Sequence, residues 1–490
     1  MVAEVRIAAL ETENAQLRDQ NAQLRELVAE LQLLIEQLNA KVEKLQDELG
    51  RHSGNSSRPP SSDTLAQRAA QNARRAEWKK KPKRRPGKQP GAQGKHLAQV
   101  ADPDEVVRHI PDFCSSCGAE LDRATLVGVE RRQVFDLPDP RLVVTEHIGE
   151  RLGCSCGAAT TATFPASAAA PASWGPRVRA AATYLLVRQH LPVERTAELL
   201  DDMLGAPVST GWLAGLPAEA KRGLTGFLGD ARIKLADAPV LHVDETGARI
   251  DGSRQWLHVA STELLTLVDC HAKRGVQATD DMGVLPGFKG VAVHDRWRPY
   301  WRYEDCTHAI CGAHLLRDLA GVAETPSQRP WAEAMAKTLL AAKQAADTAR
   351  EAGQPQISAS LRIQLGQRYA QVVDEGLAAN PAPVPGRRRT TLERQGYNLA
   401  VALRDHKDEV LRFIDNLGVS FDNNQAERDL RMAKLQQKIS GCFRTEEGAK
   451  SFCAVRSYLS TASKHGVHAL DVLARLFAGD PWRIPSEAPT

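Results

Sequence analysis

Leu10, Leu17, Leu24, Leu31, Leu38 and Leu45 recur every seven residues, and Ile7, Asn14, Asn21, Val28, Ile35, Val42 and Leu49 hold the alternate seam. A compact domain has no place for a strict 3.5-residue period of this length. The period predicts a helix over residues 1–50, about 70 Å long at 1.5 Å per residue. Its apolar seam needs a second helix to cover it. Leucine at d with mostly β-branched residues at a favours a parallel dimer, and asparagine at a fixes the register at some cost in stability. An amphipathic helix packed on its own protein is the competing reading. Gly50 ends the run.

Residues 53–63, with Pro59-Pro60, break the periodicity and exclude a continuing helix. A basic run follows, in which Arg74, Arg75, Lys79, Lys80, Lys81, Lys83, Arg84 and Arg85 meet one acid, Glu77. Such a Pro- and Gly-broken stretch builds no core and reads as a flexible arm. Its natural partner is nucleic acid phosphate. In a basic-zipper factor the basic helix precedes the zipper; here it follows across a proline break, which argues against that class. The chain's net charge is only +4 over 490 residues, so the clustering matters more than the total. No apolar run is long enough to span a membrane, and the N-terminus lacks a signal-peptide layout. The expectation is a cytoplasmic protein without membrane contact.

Nine cysteines include two close pairs, Cys114-Ser-Ser-Cys117 and Cys154-Ser-Cys156, separated by strand-rich stretches at 127–135 and 142–148. Four thiolates on two knuckles suit a tetrahedral structural Zn²⁺ site with no open position. Helices are expected at 176–190, 193–203 and 209–216, with Ser209 as N-cap and Trp212 as core anchor. They outline a helix-turn-helix, an outline that any three-helix bundle shares.

Two apolar runs end on acids: Pro239-Val-Leu-His-Val-Asp244 and Gly290-Val-Ala-Val-His-Asp295. Functional groups of α/β sheets gather at such carboxyl edges. Glu245 should point to the opposite face by strand alternation, and so is set aside. Between the runs, Asp251-Gly252 signals a hairpin turn, and residues 264–269 read as a third strand. Near the C-terminus, Asn423-Asn424 opens a helix with Leu430, Ala433 and Leu435 inward. Glu427 lies in its first turns and Lys434 returns to nearly the same face, with Arg428 and Arg431 beside them. A carboxylate next to a cation track suits a metal ligand beside phosphates; a solvated helix with charge pairs would look alike. Cys442, Phe443, Phe452, Tyr458 and Leu459 are expected in the core.

Asp244-Glu-Thr, His294-Asp295-Arg and Asp422-Asn-Asn-Gln-Ala-Glu427-Arg resemble the DDE signature of the IS66 family of insertion-sequence transposases. The six residues between Glu427 and Lys434, the Asn-Ser-Ser-Arg-Pro-Pro-Ser-Ser-Asp63 segment and the cysteine pairs are similar to features of the same family. Cys311-Gly-Ala-His314 resembles a Cys-x-x-His element of some DDE transposases; packing at a strand–helix junction explains it equally. The resemblance implies an RNase H-like catalytic domain in which Asp244, Asp295 and Glu427 hold two Mg²⁺ ions for strand cleavage and strand transfer. It further implies element ends and target DNA as substrates, and accessory proteins of the same element as possible partners. Asp269, Asp305, Asp318 and Asp422 are rival acids.

The expected architecture is multidomain α+β. It comprises a coiled coil (1–50), basic arm (51–98), zinc-binding domain (99–165), helical DNA-binding unit (172–235), first part of the core (236–322), helical insertion (323–412), last core helix (413–445) and C-terminal segment (446–490). Two other functions fit parts of the chain: a dimeric zinc-containing regulator without catalysis, and an RNase H-like nuclease without strand transfer. The zipper generates the first prediction. Deleting residues 1–49 should leave a folded, zinc-containing protein that no longer dimerises without DNA; light scattering that returned an intact dimer would place the interface elsewhere.

Overall fold

The computed structural model describes residues 97–486, apart from 138, 139, 166, 167, 169 and 383–390, together with scattered helical positions between 20 and 38. Of the expected zipper, Val28, Leu31, Ile35 and Leu38 are thus helical, with about half of each side chain exposed in the single chain. The basic positions from Arg74 to Arg85 lie outside the described residues. The chain divides into two compact units, 1–138 and 139–490, so the cysteine pairs fall one to each.

In the first unit, Cys114 and Cys117 sit on a tight knuckle. Cys114 N donates to Ala119 O at 2.8 Å and Gly118 N to Cys114 O at 2.9 Å, with Gly118 in the left-handed region. In the second unit, β1 (Arg151–Gly153) and β2 (Ala159–Thr161) pair antiparallel around Cys154 and Cys156. The strands expected at 127–135 and 142–148 are not formed. Val127, Val134, Val143 and Val144 stay exposed there, so nothing covers the face that alternation would bury.

The helical unit follows as α1 (Pro176–Thr183), a π turn (Tyr184–Arg188), α2 (Val193–Leu204), α3 (Thr210–Gly223) and α4 (Thr225–Ala236). Ser209 caps α3 by accepting from Trp212 N at 3.2 Å, as expected. Two expectations fail. The helix runs on through Pro217, because Leu213, Leu216 and Ala220 keep one face buried. Those residues are the buried anchors; Trp212 is half-buried and packs at the edge of the same core, against Trp174.

A five-stranded mixed sheet comes next: β3 (Val240–Ile250), β4 (Ser253–Ser261), β5 (Thr266–His271), β6 (Val291–His294) and β7 (Thr307–Ile310). Their spatial order is β5-β4-β3-β6-β7. The β3–β4 hairpin turns on Asp251 (φ 49°) and Gly252 (φ 70°), the paired positive φ values that Asp-Gly tolerates. Short α5 (Val276–Met282) leads from β5 towards β6. The β3 strand does not stop at Asp244. It pairs parallel with β6 only over Val240–His242 and then continues antiparallel to β4, with Asp244 opposite Val259. Asp244 therefore lies within a strand, just past the point where β6 leaves it.

After α6 (Gly312–Val322) come α7 (Arg329–Glu351), α8 (Ala359–Ala379), α9 (Thr391–Asp405) and α10 (Lys407–Asp415). They share an apolar core with Val293, Ala309 and Ile310 of β6 and β7. Then α11 (Asn424–Ser440), α12 (Glu446–Lys464) and α13 (Ala469–Phe477) return to the opposite side, against the β3–β4 hairpin and α1–α4. Leu430 and Ala433 of α11 are buried as expected; Leu435 is not, and Ala426 takes the third inward position. Phe443, Phe452, Tyr458 and Leu459 are core, whereas Cys442 is exposed at the turn after α11.

Gly290 leads into β6 at a point with no room for a side chain. A Cβ there would lie 2.5 and 2.6 Å from the carbonyl oxygens of Ala238 and Pro239, and 2.8 Å from the Phe288 ring. Backbone oxygens within a ladder cannot give way, so Gly290→Ala should destabilise by about 1–3 kcal/mol in urea unfolding. Gly229→Ala, mid-helix in α4 with nothing within 4 Å, should instead stabilise by roughly 0.5–1 kcal/mol. Equal midpoints for the two would refute the steric account.

Candidate active site

One buried side chain assembles the site. Asn423, fully buried, donates from Nδ2 to Val243 O at 2.7 Å, and its Oδ1 lies 2.9 Å from His242 Nδ1, both on β3. Its backbone N–H donates to Cys311 Sγ at 3.1 Å, where β7 passes into α6. Gly312 N donates to Phe421 O at 2.8 Å beside it. The start of α11 is thereby fixed to the centre of the sheet and to the start of α6. Asn423 was expected to serve the helix N-terminus, but its side chain makes no cap bond. Asp422 does that work, its Oδ1 accepting from Asn424 N at 3.1 Å.

Three acids meet at this junction. Asp244 is largely buried, and its Oδ1 accepts from Glu245 N at 2.9 Å. Burial pushes its carboxyl up to about 7, and the charges of Glu245, Asp295 and Glu427 push the same way. Asp295 follows β6 directly and accepts from Trp297 N at 2.8 Å, a turn that holds the carboxyl at the strand end. Glu427 lies in the first turn of α11, half-buried. Arg317 of α6 donates to its Oε1 at 2.8 Å, and His314 Nδ1 is 3.7 Å from the same oxygen. Asp244, Asp295 and Glu427, far apart in sequence, thus act on one another electrostatically.

Glu245 cannot be set aside. Its side chain is 1% exposed, holding Arg274 Nη2 at 2.7 Å and accepting from Tyr300 Oη. Burial raises its carboxyl as well, and its charge is the second cause of the Asp244 shift. Alternation turns its side chain away from that of Asp244, yet adjacent residues remain within Coulomb range. Arg274 is clamped between Trp256 and Trp297, at 4.7 and 4.2 Å from the ring centroids.

The rival acids have other partners. Asp422 caps α11, Asp318 pairs with Arg296, and Asp305 is exposed. Asp269 accepts from Cys270 N at 2.8 Å; burial raises its carboxyl, against the pull of Arg232 and Lys450. Cys311 is fully buried at the strand–helix junction, where burial pushes its thiol up to about 11. Burial, then the Arg317 charge, lowers the imidazolium pKa of His314, which favours its neutral form. Sequence reasoning missed Arg317 and the anchoring role of Asn423; an arginine on a helix carries no periodic signal. On the outer face of α11, Arg428, Arg431 and Lys434 are exposed, and Lys438 continues the row. Arg428 donates to Gln425 Oε1 at 2.9 Å.

Residues 171–451, more than half of the chain, match the family described as Transposase IS66 family. Residues 111–157 match the zinc-finger binding domain of transposase IS66, a span that includes Cys114, Cys117, Cys154 and Cys156. Residues 2–98 match a family of unknown function (DUF6444). A search of curated proteins found no match. The class is therefore a DNA transposase with a zinc-binding domain, which points to Zn²⁺. The chain belongs to the IS66 transposase family. No helix among the described residues is long and apolar enough to cross a membrane.

The raised Asp244 carboxyl generates a pH prediction. A carboxyl titrating near 7 when folded and near 3.9 when unfolded stabilises the fold while protonated; that contribution is lost as pH climbs between the two values. In metal-free buffer, Asp244→Asn should therefore gain on the wild type between about pH 4 and 7. It should end on the order of 2–4 kcal/mol more stable above pH 7. A difference that stays constant from pH 4 to 8 in chemical unfolding would show that Asp244 ionises normally.

Proposed function

We propose that this transposase works by a DDE mechanism on an RNase H-like core, with Asp244, Asp295 and Glu427 as the catalytic acids. The reading is carried by the Asp244 carboxyl, pushed up to about 7 by burial among acids. A carboxyl so destabilised as an anion gains most from a nearby cation. The three groups offer only hard oxygen donors, a set that fits Mg²⁺. The strand order β5-β4-β3-β6-β7, with β4 antiparallel, supports the RNase H-like assignment.

Two Mg²⁺ ions held by the triad would supply an activated water or 3′-hydroxyl and a counter-charge for the leaving oxygen at phosphorus. The protein's own part is placement. Asp244 is rigid within a paired strand, Asp295 is held by its turn, and Glu427 is carried by a helix that Asn423 ties to the sheet. Arg428, Arg431 and Lys434 run from Glu427 along the exposed face of α11 and would track the phosphates of an element end. The arm at 74–85 would add salt-dependent affinity. The zipper would hold two chains, and so two element ends, together. No covalent enzyme–DNA intermediate is needed, because one site can hydrolyse a strand and then join its 3′ end to the target.

Carboxamide replacements separate binding from chemistry. Asp244→Asn, Asp295→Asn and Glu427→Gln should bind element-end DNA without metal as well as the wild type, or slightly better, since a charge that repels phosphate is gone. Cleavage and strand transfer should fall by orders of magnitude in all three. Asp422→Asn, which keeps a competent helix cap, and Asp269→Asn should retain most activity. Lys434→Ala should weaken binding and lower the salt slope by about one. Normal cutting by Glu427→Gln beside an inert Asp422→Asn would move the third ligand to Asp422; wild-type activity throughout would end the enzymatic reading.

A further inference from the structure

A mixed set of sulfur, nitrogen and oxygen donors lies beside the acids. Cys311 Sγ, His314 Nδ1 and a Glu427 carboxylate oxygen all lie within 4.8 Å of one another. Cys311 immediately precedes α6 and His314 is in its first turn, so the two side chains sit one turn apart on one side of the helix. The Asn423 anchor brings Glu427 to meet them. His314 Nδ1 is buried and has no hydrogen-bond partner among the described residues. Its nearest acid oxygen, at 3.7 Å, is too far for a hydrogen bond. The backbone N–H groups of His314, Asn423 and Ala313 are directed at Cys311 Sγ, an arrangement that favours a thiolate.

We propose that Cys311, His314 and Glu427 form a three-ligand site for a Zn²⁺- or Co²⁺-type cation, distinct from the cysteine knuckles and from an oxygen-only magnesium site. Sulfur and imidazole select such ions over Mg²⁺. In a tetrahedral zinc site the ligand atoms stand roughly 3–4 Å apart, so the present spacing needs only a small contraction. On binding, the Cys311 S–H bond breaks, its proton leaves to solvent and sulfur bonds the metal. His314 binds through the Nδ1 lone pair with its proton on Nε2. Thiolate and carboxylate together balance the two charges of the ion, and a fourth position stays open to water. Arg317 holds the same Glu427 oxygen and must swing away, which a side chain 61% exposed can do. The site does not require Glu427 to be catalytic; if it is, occupancy would withdraw it from the triad.

The test is a Co²⁺ titration of the full chain, following stoichiometry and the thiolate-to-cobalt charge-transfer band. The wild type should bind about one Co²⁺ per chain more than Cys311→Ser or His314→Asn, both checked for folding by thermal melting. If Cys311→Ser fails to fold, His314→Asn, at a half-buried position, decides. Arg317→Gln should raise the affinity of that extra equivalent roughly three- to tenfold, because a competing cation is removed. Equal stoichiometry in the wild type and folded His314→Asn would overturn the site, as would displacement of that equivalent by an equal concentration of Mg²⁺. Neither outcome touches Asp244 or Asp295, so DNA cleavage remains an independent test of the triad.

Discussion

Asn423, fully buried, makes three short polar contacts: Val243 O, His242 Nδ1 and Cys311 Sγ. The first two lie side by side on β3 and the third just before α6, each more than a hundred residues from Asn423 in sequence. A buried amide left without partners would cost about 1–3 kcal/mol for each unmet group, so the three stretches are held in one arrangement. Burial lowers the pKa of His242, which keeps it neutral beside Asn423 and spares the junction a buried charge. The positions of Asp244, one residue past Val243, and of Glu427, four past Asn423, both follow from this joint.

The same logic closes the far side of the sheet. β5 is an edge strand, and an open edge exposes unpaired N–H groups. Here α12 covers it: Ser457 Oγ accepts from Val268 N at 2.8 Å and Thr461 Oγ1 from Thr266 N at 3.0 Å. Nearly all of α12 between Ala449 and Ala462 is buried, so small polar residues serve where a leucine would leave amides unmet. Lys464 then bonds the carbonyls of Thr262 and Leu265 and pairs with Asp429 on α11. The C-terminal segment is therefore part of the core that holds α11 in place, not an appendage to it.

Much of this was legible in the sequence because it rests on local periodicity. Apolar runs gave β3 and β6, Asp-Gly gave the hairpin, and Ser209 marked the start of α3. What stayed hidden depends on partners distant in sequence. Nothing in residues 240–250 says that β3 loses its parallel neighbour after His242 and runs on beside its antiparallel one alone through Asp244. The valines at 127, 134, 143 and 144 belong to runs rich in strand-favouring residues but find no ladder. Leu435 faces outward because it stands only two residues, about 200°, from Ala433, whereas Ala426, one turn before Leu430, lies on the inner row. Glu245 was discounted by a rule about side-chain direction, while its influence is Coulombic and works through the backbone distance.

The charges around Glu427 form a gradient that, on the proposed reading, bears on how DNA would be received. On one side, burial first, and then the like charges of Glu245 and Asp295, lift the Asp244 carboxyl towards neutrality. On the other, Arg317 already neutralises Glu427, and Arg428, Arg431 and Lys434 extend the positive charge into solvent. A phosphate approaching along α11 would meet cations first and acids last. With the acids bare, the final few ångströms are repulsive, and burial strengthens that repulsion because solvent screens it poorly. On the proposed reading, a divalent cation held by the acids would reverse the sign only at the acid end. The attraction of α11 for a backbone would then reach the acids only once a metal is in place.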